Sequence, residues 1–203
     1  MTHKILKIAM LADLLVVSSY GLFLPLLPLF ILIKIPNVDI QTIGITFAIY
    51  LLSKGIFGWL YLNYIDHNLS HYRAHGGIIV GSLIITVIPL TYLFTSSITQ
   101  IFLIQITAGL GFGLIKPAMM FLHYELTKQE YKSTIKKIYH TTSIFCLAAM
   151  AALGGFIAYQ YGFDVLFVIM TVLGSIGFLI SCALPFEHRK KFNPIKHRAK
   201  KLL

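Results

Sequence analysis

Apolar stretches of membrane length recur six times along the chain, at about 8–33, 42–65, 76–94, 99–122, 138–160 and 165–186, with short connections between them. A segment needs about 20 mostly apolar residues to cross a hydrocarbon core, and each stretch is that long. Lipid offers no partner to a bare backbone N–H or C=O, so such crossings must be helical. The expected fold is an all-α membrane protein: one bundle of six transmembrane helices over 1–187, with a basic tail at 188–203. The composition agrees, at 57% hydrophobic and 12% charged, which no ordinary soluble domain shows. The first stretch is too long for a signal-peptide core and has no A-x-A-like site, so it is expected to be retained.

A net charge of +10 invites a nucleic-acid partner, but the positions of the charges argue against one. With the N-terminus placed in the cytoplasm, only Lys34 falls outside, and Lys54 and Lys116 lie within spans. The remaining Lys and Arg all collect on the inner side, a bias that puts both termini in the cytoplasm. The expected setting is the cell membrane, with the lipid bilayer as partner. The tail suits anionic head groups, at about 1 kcal/mol per basic residue, although a solvated stop-transfer flank has the same composition. Cys146 and Cys182 sit inside spans without metal spacing and read as small packing residues. No metal or cofactor is expected. His67, His71 and His75 recur every four residues in a segment that reads as a polar cytoplasmic loop.

The spans differ in texture. The third and sixth carry small residues and no ionisable ones, as packing elements do. The first, second and fourth carry Asp13, Lys54 and Lys116. A charge deep in a helix costs at least about 2.5–3.5 kcal/mol, so these groups should face protein or water. At about 1.5 Å of rise per residue, Lys54 lies near mid-membrane. Asp13 and Lys116 fall at similar depth on antiparallel helices, within reach of an ion pair. Along the fourth span Gln105, Gly109, Phe112, Lys116 and His123 share one helical stripe. The stripe reads as a cavity wall or as a buried structural pair beside a satisfied amide. Pro117 would free the carbonyl of Gly113. No converging catalytic groups are present in the sequence pattern, so no enzyme is expected and no catalytic residue is assigned.

These spans resemble the amino-terminal half of a major facilitator superfamily (MFS) transporter. Asp13, Gly21, Pro25 and Pro28, in the run YGLFLPLLP, are similar to the D…G…P-x-x-P pattern of the family's first helix. ITAGLGFGLIKPAMM resembles its glycine-rich fourth helix, ALGGFIAYQYGFDVLF its fifth, and ALPFE the close of its sixth. There are departures. In the signature loop between helices two and three, Asp66 and Arg73 can supply the acid and the base of a cytoplasmic gate, but Leu62 replaces the first glycine. Gln105 stands where drug antiporters of the family carry Arg, and Met150-Ala151 stand where Gly-Pro would precede Gly154-Gly155. Drug/proton antiport is therefore not inferred.

The resemblance implies an MFS-like half-bundle in which helices one, two, four and five line a central cavity. Lys54, Gln105, Lys116 and Asp13 become the substrate or cavity residues. Gly21, Pro25, Gly109, Gly113, Pro117, Gly154 and Gly155 become helix-packing residues. The family's halves are parallel repeats, so two copies, or one copy with a second MFS half, could meet as those halves do. The expected function is alternating-access transport of a small anionic solute as a homodimer. The alternatives are a six-helix membrane scaffold or subunit, or one half of a split or truncated twelve-helix transporter.

Overall fold

In the computed structural model, which describes residues 2–66, 71–127 and 129–184, helices account for nearly all of these residues. They are α1 (Thr2–Gly21), α2 (Leu27–Lys34), α3 (Ile40–Asp66), α4 (His71–Leu93), α5 (Ile98–Leu126) and α6 (Lys132–Cys182). No strand occurs among the described residues. Among the described residues, five stretches are long and apolar enough to cross a membrane: Leu6–Lys34, Ile40–Ile65, Tyr72–Leu93, Ile98–Tyr124 and Ser133–Cys182. The basic tail, the ALPFE residues from Pro185 onward, His67 and Lys128 lie outside the described residues.

Two breaks differ from the six uninterrupted helices expected. The first span is not one helix: α1 stops at Gly21, a 3-10 turn spans Leu24–Leu26, and α2 resumes at Leu27. Pro25 and Pro28 cause this, because proline lacks an N–H and its ring crowds the carbonyl four residues back. The fifth and sixth spans are instead run together in α6. At 51 residues a straight helix would extend about 75 Å, more than twice the thickness of a hydrocarbon core. It does not stay straight, for Gly162 takes φ 83° and ψ 173°, outside helical space. That left-handed φ is open to glycine and costly for most other residues.

Both limbs of α6 lie on α1. Before Gly162, Leu147 and Met150 pack on Gly21, and Gly154 sits so close to the Leu22 carbonyl that a Cβ there would collide with it. After Gly162, Gly177 packs on Ala12 and Val16, Gly174 on Thr86 of α4, and Ser181 offers its carbonyl to His75 Nε2 at 2.9 Å. As the second limb leads away from Gly162 its partners step back along the first span, from Phe23 just past α1, beside Phe167, to Val16 within α1, beside Gly177.

Glycines also set the centre of the bundle. A Cβ on Gly109 would lie 2.5 Å from Ser53 Cβ, and one on Gly113 2.9 Å from Phe57 Cβ, so α3 and α5 meet nearly backbone to backbone. Ser53 Oγ adds a hydrogen bond to the Ile106 carbonyl at 2.9 Å. Gly111, on the opposite side of α5, receives Ile84 and Ile85 of α4. The start of α5 is fixed by a capping box, with Ser97 Oγ accepting from Gln100 N while Gln100 Oε1 accepts from Ser97 N. At the end of the bundle where α2 lies, Phe23, Phe30, Tyr92, Phe163 and Phe167 interlock, with centroids as close as 4.9 Å.

Candidate functional site

A cavity of about 560 Å³ lies between α1, α3, α5 and the first limb of α6, reaching toward the α5–α6 connection. Small-molecule sites run from about 300 to 1,000 Å³. Three rings form its inner wall: Tyr20 lies 5.1 Å from Phe112 and 6.1 Å from Tyr50, and Tyr50 lies 6.2 Å from Phe112. Val17, Leu24, Met119 and Leu147 continue the apolar surface. Met120 and Ile144 also line it yet remain 63% and 52% exposed, so this chain does not close the cavity by itself.

The cavity's charges are cationic. Lys54 extends across the ring wall, its ammonium 5.6 Å from the Tyr50 centroid and 5.8 Å from that of Phe112. Such placements are attractive, and more so where water is scarce. Among the described residues Lys54 has no carboxylate partner. Lys116 lines the same cavity, and its Nζ lies 3.3 Å from Asp13 Oδ2. Asp13 is enclosed behind it, and its Oδ1 has no hydrogen-bond partner among the described residues. His123, Lys136 and His140 add basic groups toward the α5–α6 connection. His123 Nδ1 faces the Met119 carbonyl at 2.8 Å, and its ring lies 5.0 Å from that of Tyr139.

The fourth-span stripe is thereby divided. Phe112, Lys116 and His123 line the cavity, Gly109 is spent on the approach of α3, and Gln105 is buried, its Nε2 donating to Tyr92 Oη at 3.2 Å. Gln105 and Asp13 thus stand behind the wall rather than in it. The helix carries through Pro117, whose ring lies near Gly58. At the proposed gate, Arg73 Nη1 donates to the Tyr64 carbonyl at 2.9 Å, and its guanidinium stacks 4.2 Å from the Tyr64 ring. The Asp66 side chain is outside the described residues. Of the packing residues, Gly21, Gly109, Gly113 and Gly154 have close neighbours, Pro25 shapes the turn after α1, and Gly155 has nothing within 4 Å of where a Cβ would be. Sequence reasoning did not single out Tyr20 or Tyr50. The available signal was spacing, since Tyr50 precedes Lys54 by one helical turn.

Helices of membrane-crossing length around a cationic cavity define a multi-pass membrane protein with room for a solute. The chain belongs to the Major Facilitator Superfamily, whose family model matches residues 9–202. Members of that family are transporters rather than enzymes, and the chain is accordingly a transporter of the superfamily. No curated protein matches it.

Proposed function

We propose that this chain forms one MFS half of a cell-membrane transporter that moves a small anionic solute by alternating access, a second copy supplying the other half. It crosses the bilayer six times, the limbs of α6 counted separately, with both termini cytoplasmic. The observation that carries this reading is a convergence. α1, α3, α5 and the first limb of α6 belong to the first, second, fourth and fifth spans, and among the described residues these spans, with Leu24 in the turn of the first, line the cavity that holds Lys54 and Lys116. The resemblance assigns the lining of the family's central cavity to those same four helices. With Asp13 ionised and both lysines protonated, each protomer offers a net positive charge. Rocking of one copy against the other would expose the shared centre to each side in turn, with Asp66 and Arg73 at the cytoplasmic gate.

In reconstituted vesicles an organic anion should be taken up saturably. Lys54→Met should lower that uptake about tenfold or more, the usual worth of a hydrogen bond to a charged group. Normal uptake of the anion by Lys54→Met removes the assignment. Flux-free vesicles that hold folded dimer would favour the scaffold reading. A strictly monomeric protein in nanodiscs would point to a second MFS half as the partner instead.

A further inference from the structure

We propose that the cavity selects a monovalent organic anion with an aromatic or hydrocarbon body, its acid group held by Lys54 and its body lying along the ring wall. This rests on the reading of the cavity as the transporter's solute site, and narrows the solute's chemistry.

The argument begins with charge. Of the two lysines deep in the cavity, Lys116 is already matched by Asp13 at 3.3 Å. That leaves Lys54 as the one inner lysine without a carboxylate among the described residues. Its ammonium rests against ring faces, which attract its charge without taking up its N–H donors. Those donors stay available to a carboxylate or sulfonate. Within one protomer's cavity this single unmatched inner lysine pairs one acid group, and a second anionic group on the same molecule would lie against rings and thioethers.

The walls supply the second part. Tyr50 and Phe112 flank the ammonium, and Tyr20, Met119 and Met120 extend the same cavity with a further ring and two thioethers. Methionine adapts to irregular apolar shapes and makes favourable contacts with rings. Inorganic phosphate or a short dicarboxylate would leave this apolar surface unfilled. The exposed Lys136 stands at the outer part of the cavity, where its positive charge draws anions inward without having to bind them.

Full-length protein in nanodiscs, with empty discs as the blank, provides the test through equilibrium dialysis. The probes are 2-naphthoate, its neutral analogue 2-naphthylmethanol, succinate and inorganic phosphate. Saturable naphthoate binding is expected, with the other three weaker by roughly tenfold or more. Lys54→Met should weaken naphthoate binding roughly ten- to hundredfold, and Lys54→Arg should restore most of it. The proposal is overturned if naphthoate shows no saturable binding, if naphthylmethanol binds as well, if phosphate or succinate binds better, or if folded Lys54→Met binds unchanged. Should Lys54→Met not fold, the four-probe comparison on the unaltered protein still decides. Naphthoate binding without flux upholds this proposal and sinks the transport reading. Saturable flux of another solute that naphthoate does not compete with upholds transport and sinks this proposal.

Discussion

The Asp13 carboxylate is fully enclosed, while Lys116, which meets it at 3.3 Å, keeps 39% of its side chain open to the cavity. That asymmetry decides what each substitution does. Removing the lysine strands a buried charge, and removing both groups leaves none to strand. Lys116→Met alone should therefore destabilise the protein by about 3 kcal/mol, the low end for a broken buried pair because the lysine is partly solvated. Asp13→Asn added to Lys116→Met should recover most of that loss. Unfolding in mixed micelles across the four proteins measures the coupling, and additive effects would show that the contact carries no energy. The pairing was within reach of sequence reasoning because depth along two antiparallel helices can be counted from the residues between. Which way Gln105 turns could not be counted. It shares a stripe with Lys116, yet its partner Tyr92 comes from α4, and only packing brings that helix alongside.

Helix ends and breaks obey more local rules. Asp39, exposed ahead of α3, accepts from both the hydroxyl and the backbone N–H of Thr42, at 2.5 and 2.8 Å. These bonds, the hydroxyl's foremost, hold its carboxyl below the ordinary carboxylate value of 3.8. A lowered folded pKa means stability that is present above the unfolded value and lost as pH falls through the folded one. The first turn of α3 should thus fray progressively as pH drops below about 4, and Asp39→Asn should abolish that dependence. Hydrogen exchange at residues 40–43, followed from pH 6 to pH 3, reads it out; fraying that persists in Asp39→Asn would implicate another group. The same local chemistry made the proline break after α1 foreseeable, since Pro25 and Pro28 were visible in the run. The merging of the last two spans was harder to foresee. Their boundary, QYGFD, has a glycine but no proline and no polar run, so hydrophobic pattern alone cannot tell a loop from a single residue that turns the chain.

At the level of the assembled chain, the helix-packing residues fall into two groups. Gly21, Gly109, Gly113 and Gly154 are filled by neighbours within the bundle, and Gly155 is not. Gly155 lies on the first limb of α6, close to the face that carries His140 and Ile144 into the cavity. A second copy meeting this one across the cavity would find there a glycine that permits close approach. Gly155→Leu should leave the protomer folded, shift nanodisc-reconstituted protein from dimer toward monomer, and reduce uptake together with it. Single-molecule photobleaching or native mass spectrometry gives the distribution, and an unchanged dimer fraction would place the contact elsewhere. The order of the spans was legible from hydropathy and loop length. A central cavity and the spans around it were implied by the resemblance, but its wall of Tyr20, Tyr50 and Phe112 was not, because that depends on which faces α3 and α5 surrender to each other at Gly109 and Gly113.

The reversal at Gly162 is made by one residue, with no intervening linker to absorb slack. One limb of α6 borders the cavity and the other is anchored to α4 through Thr86 and His75. Both limbs are also packed on α1, the first at Gly21 and the second at Ala12 and Val16, so a tilt of either is resisted by the same helix. In the proposed two-copy cycle, the rocking motion is therefore expected at the seam between copies more than between the limbs of one α6.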